Sequence, residues 1–513
     1  MELIAAIAHS ALRMFVAYLL SVLVALLVGI PMGRNDKVEK ILYPVIDVLQ
    51  SVPILGFFPL IIALFLKTLP PTVGLELSSI FLIFTSQAWN LILGVYANIK
   101  FIPPYILDVA SVYKFNLLTR ITKIYIPAAI PAIAKNSIIS WAGGLFFLVS
   151  SEIITMGSTN FLLEGVGTYV QLAVDSGNFE QIVLGILSVM ILSITSYIFI
   201  WNPFYAITSS TIPENEFVPK IDKPFRYLWI LMSKILRDFS DALLILANRF
   251  SPKNKSKHLL KILKPVIFSL AVFLMVITLL KNVESITFNV DKSRISYLAL
   301  EATEGIAYSL LRIATVLIVG FFIVAFSSYL LYERKTMFRK LFILFGEILS
   351  SIPASLWWPM FILLIEKGFP PLFVSLFIIF QGAIWYIFFN IALTGVGPIE
   401  RNLMEMAKIY RIKDRYKFFN IYVPMLVPYI LSGMSSAWGG AWNASIVAEY
   451  ATLGTQLITF FGIGYLISQS TVSGDMFSLI IYIITLTSFI VLLNRTLWAW
   501  LYSYSRKKYH IIE

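Results

Sequence analysis

The chain has 513 residues, of which 58% are hydrophobic and only 13% are charged, and its formal net charge is +12. A soluble protein of this length needs more polar residues to cover its surface, so the composition excludes that class and predicts an integral membrane protein. Cysteine is absent, and the three histidines, His9, His258 and His510, lie far apart, so we expect no disulfide, no metal and no cofactor.

Long apolar runs, rather than short alternating segments, predict membrane-spanning α-helices. The predicted fold class is therefore an all-α integral membrane protein. In chain order, the eleven helices lie near residues 8–30, 42–66, 75–96, 126–150, 179–201, 266–281, 306–332, 341–366, 371–395, 425–448 and 476–500.

Basic residues concentrate in alternate loops. The loops that are rich in Lys and Arg include Arg34, Lys114, Arg339 and Lys413, and the C-terminal tail carries Arg506 to Lys508. Loops rich in Lys and Arg stay in the cytoplasm, so the N-terminus is predicted outside and the C-terminus inside. Because the positive charge is spread over loops, it indicates membrane orientation and not nucleic-acid binding.

The chain repeats itself at a spacing of about 300 residues. The matched pairs include Pro53 with Pro353, Pro59 with Pro359, Pro127 with Pro424, Trp141 with Trp438, and Glu152 with Glu449. Hydrophobic bias alone would not align prolines and tryptophans, so the sequence indicates an internal duplication. The helix at 266–281 makes the two repeats parallel, and duplicated membrane halves commonly surround a central pathway.

Three segments follow from the duplication. Residues 1–205 form a first repeat with five helices, 206–264 a basic cytoplasmic linker, and 265–513 a second repeat with six helices. Within the linker, polar and apolar residues alternate at helical spacing. This pattern predicts an amphipathic helix, which lies either on the inner membrane face or on the protein's own loops.

One cytoplasmic loop in each half carries the same motif. The two segments are Asp108–Pro127 and Glu405–Pro424. Their matching positions are Asp108, Ala110, Tyr113, Lys114 and Pro127, and Glu405, Ala407, Tyr410, Arg411 and Pro424. This motif resembles the cytoplasmic coupling loop of binding-protein-dependent ABC permeases. The resemblance implies that each loop docks onto a separate ATPase subunit.

The two loops depart from the family pattern at one place. The family has glycine where this chain has Lys114 and Arg411. Glycine would let the chain turn sharply there, so a basic residue predicts either a straighter helix or a turn made another way.

A second resemblance narrows the class. Ser10–Gly33 and Ser435–Tyr450 are similar to permeases for nitrate, sulfonates and taurine. It implies an importer for a small anion in the cell membrane, served by two ATPase subunits and an extracytoplasmic solute-binding protein. The chain has no G-x-x-x-x-G-K-[ST] motif, so we expect no enzymatic activity of its own.

Polar residues inside membrane helices are costly and are therefore candidates for a substrate pathway. They are Arg13, Arg312, Gln87, Gln381, Glu152, Glu449 and Asn443. The two arginines either attract an anion or snorkel to the outer interface. A carboxylate repels an anion, so the glutamates are predicted to form a gate or to bond helix ends, and the amides to bind substrate or to pack.

The alternative class is a secondary transporter driven by an ion gradient. It would explain the repeat and the buried glutamates Glu152 and Glu449. It would not explain two cytoplasmic segments with the spacing of ATPase-docking loops, and the repeats of such carriers are commonly inverted.

Overall fold

The computed structural model describes residues 2–156, 159–208, 292–333, 345–346, 349–350, 352–389, 406–407, 409–453, 456–498, 500–501 and 503–504. The predicted helix at 266–281, nearly all of the linker and Glu405 lie outside these described residues.

The first half is helical with one short hairpin. Its α-helices are α1 Leu3–Arg34, α2 Asp36–Ser51, α3 Ile54–Thr68, α4 Pro71–Lys100, α5 Pro104–Val112, α6 Leu117–Arg120, α7 Ile126–Glu152, α8 Val166–Asp175, α9 Phe179–Ser196 and α10 Asn202–Thr208. Strands β1 Ile153–Met156 and β2 Thr159–Leu162 pair antiparallel, with Ile153 opposite Leu162. The π-helical segments Ile121–Tyr125 and Tyr197–Trp201 precede α7 and α10.

The second half repeats this order. Its α-helices are α11 Lys292–Glu333, α12 Ala354–Glu366, α13 Pro371–Phe389, α14 Asp414–Lys417, α15 Val423–Glu449, α16 Ile463–Ser473 and α17 Met476–Leu493. Strands β3 Tyr450–Leu453 and β4 Gln456–Thr459 pair antiparallel, with Tyr450 opposite Thr459. The π-helical segments Phe418–Tyr422 and Asn494–Trp498 occupy the places of those in the first half.

Seven helices in the described part of the chain are long and apolar enough to cross a membrane. This confirms the helical multi-pass architecture predicted from composition. The two hairpins are an addition that the sequence did not predict, and each follows directly on the long helix that ends at Glu152 or Glu449.

The predicted helix at 42–66 is wrong as a single element. The helix breaks between Ser51 and Ile54, and Pro53 takes an extended conformation with φ −60° and ψ 116° at the start of α3. Proline has no N–H to donate and disfavours a helical conformation in the residue before it. Pro353 stands in the same way before α12, with φ −55° and ψ 141°.

Aromatic packing repeats between the halves. The rings of Trp141 and Trp201 lie 5.1 Å apart, and those of Trp438 and Trp498 lie 6.1 Å apart. All four side chains are buried. The duplication therefore persists in the core, where the long helix of each half packs against the helix that ends the repeat.

Candidate functional site

A cavity of about 370 Å³ lies between the two halves. The first half lines it from α2, α3, α4 and α7, and the second half from α13, α15 and the segment Asn494–Trp498. A site shared by two repeats is where duplicated transporters commonly hold their substrate. This cavity is therefore the candidate substrate site.

The lining is polar and aromatic. Its amide and hydroxyl side chains are those of Tyr43, Gln50, Ser86, Asn90, Ser350, Gln381, Tyr386, Ser435, Ser436, Asn443 and Asn494. The indole rings of Trp89, Trp385, Trp438 and Trp498 also line it. Among the described residues that line the cavity, Asp47 is the one acidic residue, and none is Lys, Arg or His.

The two halves are in contact beside the cavity, at the start of α3. Ile54 lines the cavity, and the backbone N–H of the next residue, Leu55, donates to Asn443 Oδ1 at 3.3 Å. Pro53 has no side chain that can cap α3, so an asparagine from the other half accepts one of the free N–H groups of its first turn. Asn443 also donates to the carbonyl of Gly439 at 3.1 Å.

Two of the seven predicted pathway residues, Gln381 and Asn443, line this cavity. Gln381 accepts a hydrogen bond from Trp385 Nε1 at 2.7 Å. Gln87 is fully buried beside Gly144 and does not line the cavity.

The arginines and glutamates lie elsewhere, in one buried network per half. In the first half, Arg13 Nη1 donates to Glu152 Oε1 at 2.9 Å and to the carbonyl of Glu164 at 2.7 Å. The other carboxylate oxygen of Glu152 accepts from the N–H of Gly167 at 2.7 Å. Ser10 donates to Glu152 and accepts from the N–H of Val166.

The second half repeats this set of contacts around Arg312 and Glu449. Arg312 donates to Glu449 at 2.7 Å and to the carbonyl of Phe461 at 2.9 Å. The N–H of Gly464 donates to Glu449 at 2.8 Å, and that of Ile463 donates to Ser309 at 2.9 Å. Each network thus ties α1 or α11 to the end of α7 or α15 and to the first turn of α8 or α16. The glutamates therefore accept hydrogen bonds from the N–H groups at the start of α8 and α16, and the arginines form ion pairs with the glutamates.

The two networks differ in one partner. Arg13 also makes a two-bond pair with the carboxylate of Glu76 on α4, at 2.8 Å and 2.7 Å. Within the described residues, the contacts of Arg312 include no second carboxylate.

The two coupling loops turn at the family's glycine position. Lys114 has φ +51° and Arg411 has φ +50°, and they are the only non-glycine residues with positive φ in the described part of the chain. This left-handed conformation is the one that glycine adopts without strain. The prediction of a straighter helix is therefore wrong. The chain turns instead, as the alternative prediction had it, and a basic residue adopts the left-handed conformation in place of glycine.

Backbone bonds close the first turn. The N–H of Phe115 donates to the carbonyl of Ala110 at 2.9 Å, and that of Lys114 donates to Ser111 at 3.0 Å. This pair of bonds is the Schellman motif, which ends a helix with a left-handed residue. In the second loop, the N–H of Ile412 donates to the carbonyl of Ala407 at 3.0 Å.

Around each turn, one small residue is buried and large apolar residues are exposed. Ala110 and Ala407 are 1% and 2% exposed, whereas Tyr113 and Tyr410 are 72% and 73% exposed. Val112 and Ile409 are exposed in the same way. Each turn thus presents a tyrosine and a β-branched residue at the surface.

Comparison with known proteins agrees with this geometry. Residues 21–208 and 333–501 each match the family described as "Binding-protein-dependent transport system inner membrane component". The chain belongs to this family. It is therefore a multi-pass inner-membrane component with two repeats of this family.

Three relatives show the range of this similarity. The chain is 28% identical over 183 residues to the "Nitrate import permease protein NrtB" of Leptolyngbya laminosa, covering 36% of this chain and 61% of the relative. It is 29% identical to the "Bicarbonate transport system permease protein CmpB" of a Synechocystis species, covering 27% of this chain and 48% of the relative. It is also 29% identical to the "Putative aliphatic sulfonates transport permease protein SsuC" of Bacillus subtilis, covering 35% and 59%.

The matched segments span about half to three fifths of these relatives' length. No solved structure matches the chain.

Most cavity residues were not predicted from the sequence, although the spacing of polar residues in two helices indicates them. Tyr43, Asp47 and Gln50 stand four and three residues apart, the spacing of one face of a helix, and all three line the cavity from α2. Ser86 and Asn90 share a face of α4 in the same way. A polar stripe inside an apolar helix is the pattern that identifies these residues.

Proposed function

We propose that this permease imports a small anion of the nitrate, bicarbonate or sulfonate class, powered by two ATPase subunits at its two coupling loops. An extracytoplasmic solute-binding protein delivers the substrate, and ATP hydrolysis takes place in the partner subunits. The N-terminus lies outside and the C-terminus in the cytoplasm, and residues 206–264 form a cytoplasmic linker between repeats 1–205 and 265–513.

The observation that carries the proposal is the pair of coupling turns. Each turn has a left-handed basic residue, Lys114 or Arg411, next to an exposed tyrosine, Tyr113 or Tyr410. Two matching surfaces on one chain suit two copies of one partner fold. An exposed aromatic anchor within a polar rim is the usual composition of a protein interface.

The coupling loops also connect mechanically to the cavity. Behind each turn, the chain runs through a π-helical segment into α7 or α15, and both of these helices line the cavity. Movement of an ATPase subunit at the turn would therefore reach the cavity along a continuous helical segment. Asp108, Pro127, Glu405 and Pro424, at the ends of the two loops, complete the proposed coupling residues.

Co-purification with the candidate ATPase tests the proposal. We expect the wild-type chain to hold the ATPase, and the variants Asp108→Lys and Glu405→Lys each to weaken the complex, because they reverse charge at the docking surface. Asp175→Lys, on an exposed part of α8, is the matched control and should leave the complex intact.

A chain that binds no ATPase but moves substrate under an ion gradient would contradict the proposal and favour the secondary transporter. Equal loss of the complex in Asp175→Lys would show that the effect is not local to the coupling loops.

A further inference from the structure

We infer that Lys114 and Arg411 each form an ion pair with a carboxylate of the ATPase subunit, so that the permease selects an ATPase whose docking surface is acidic at this point. The inference rests on the proposed function, since it names the chemistry of the partner at the two coupling turns. A glycine in the same turn would have no side chain with which to form this pair.

The backbone at both residues is in a conformation that suits glycine better. The φ angle is +51° at Lys114 and +50° at Arg411. In this conformation the Cβ of a larger residue lies too close to the following carbonyl oxygen, and glycine avoids that strain. The backbone geometry of the turns therefore does not account for a long basic side chain at the same place in both halves.

Neither cation has a partner in the described part of the chain. Lys114 and Arg411 are both exposed, and neither side chain makes a hydrogen bond, an ion pair or a ring contact there. A neighbouring basic residue is held within the loop, since Arg120 donates to the carbonyl of Phe115 and to Ser111 Oγ, each at 3.2 Å. The two cations at the turns are therefore free to pair with a group of another molecule.

The helix behind each turn is longer than a bilayer is thick. The helical segment Leu117–Glu152 has 36 residues, which is about 54 Å at about 1.5 Å per residue. A bilayer with its headgroups measures about 40–45 Å. The basic residues of the segment, of which Lys135 is the last, all lie toward the turn, so the surplus length lies at that end. The second half repeats this length with the continuous helical residues 414–449, so both cations are placed to meet a protein and not lipid headgroups.

Positive charge exceeds negative charge around the turns. The second turn is followed by the exposed cations Lys413 and Arg415, with one exposed acid, Asp414, between them. At the first turn, the exposed acid Asp108 lies in the middle of α5, more than one helical turn before Lys114. Opposite charges face each other across protein interfaces, and like charges there are costly. The surface that fits the end of each turn is therefore acidic.

Titration of the full chain with the candidate ATPase subunit tests the inference. The chain is held in phosphatidylcholine nanodiscs, and the Kd is measured by interferometry at low and at high salt. The key variant combines Lys114→Asn with Arg411→Asn, because asparagine tolerates the left-handed conformation and carries no charge. A second variant, Lys114→Arg with Arg411→Lys, keeps both charges. The matched control, Lys37→Asn with Lys40→Asn, removes two exposed lysines of α2 outside the coupling loops.

We expect the asparagine variant to bind the ATPase about tenfold more weakly than the wild type at low salt. The difference should shrink at high salt, because ions screen an exposed pair. The charge-keeping variant and the lysine control should bind as the wild type does. An equal loss of affinity in either of these two would overturn the inference.

Wild-type affinity in the asparagine variant would also overturn the inference. A cation that served only the negative end of α5, or only lipid headgroups, would give that result. The wild type separates this failure from that of the proposed function. A wild-type chain that binds no ATPase contradicts the proposed function itself, whereas one that binds it as tightly as the asparagine variant contradicts only the ion pairs.

Discussion

Arg13 and Glu152 form a buried ion pair at 2.9 Å, and Arg312 and Glu449 form its counterpart at 2.7 Å in the second half. Both carboxylates are fully buried. The bonds around each pair join three segments, so the start of α8 or α16 is held against α1 or α11.

Arg13 has two carboxylate partners and Arg312 has one among the described residues, so loss of a glutamate should destabilise the two halves to different extents. Removing one partner of a buried pair costs about 3–5 kcal/mol, because the other charge stays buried without compensation. Arg13 keeps Glu76 when Glu152 is lost, whereas Arg312 has no second carboxylate in the described part of the chain. We therefore expect Glu449→Gln to lower the thermal midpoint of the purified chain more than Glu152→Gln.

The double variant Glu76→Gln with Glu152→Gln provides the control. It should bring the first half to the sensitivity of the second. A larger effect of Glu152→Gln alone would contradict the role assigned to Glu76.

Because Lys114 and Arg411 have a left-handed conformation, replacing either with glycine should stabilise its turn. A non-glycine residue in this conformation costs about 1 kcal/mol, so Lys114→Gly and Arg411→Gly should stabilise the turn by about that amount. Lys114→Val should destabilise it, because a β-branched side chain suits this conformation worst. Hydrogen exchange at the amides of Lys114 and Phe115 measures the effect, and slower exchange in Lys114→Val would contradict it.

The adjacent glycines Gly439 and Gly440 of α15 should differ in whether they tolerate a larger side chain. A Cβ on Gly440 would meet the carbonyl of Gly382 and lie 2.7 Å from Tyr386 Cε2. A Cβ on Gly439 would have the carbonyl of Gln50 at 3.8 Å as its nearest neighbour. Gly440→Ala should therefore cost about 1–3 kcal/mol of stability, while Gly439→Ala should be tolerated. Equal thermal midpoints for the two variants would refute this account of the contact between α13 and α15.

The bond between Asn443 and Leu55 predicts coupling between the halves. Asn443→Leu leaves the Leu55 N–H without its acceptor and should cost about 1 kcal/mol. Asn98→Leu removes a bond of the same 3.3 Å length, from an exposed asparagine to the carbonyl of Ala128, and is the matched control. Denaturation monitored by tryptophan fluorescence compares them, and a larger effect of Asn98→Leu would contradict the inter-half role.

The sequence predicted the architecture because membrane helices and duplications leave local patterns. An apolar run can be recognised within one helix, and matched prolines and tryptophans can be recognised by comparing the two halves residue by residue. The break at Pro53 does not follow from the presence of a proline alone, because Pro31, Pro44, Pro59 and Pro131 stand inside α1, α2, α3 and α7.

Other features depend on what the fold brings together. Nothing in the sequence places Glu152 beside Arg13 and Gly167, because the three belong to different segments. The conformation of Lys114 is set by the surrounding turn and runs against the residue's own preference, so propensity predicts the wrong backbone there. Asp47 could be recognised from its spacing to Tyr43 and Gln50, which puts the three residues on one face of α2.

In the proposed function, one chain provides both docking surfaces of the transporter. Native mass spectrometry of the complex with its ATPase tests this directly by counting subunits. We expect one permease chain with two ATPase subunits, and one ATPase fewer when either coupling turn is disrupted by Tyr113→Asp or Tyr410→Asp. A complex that contains two permease chains, or a single ATPase in the wild type, would contradict it.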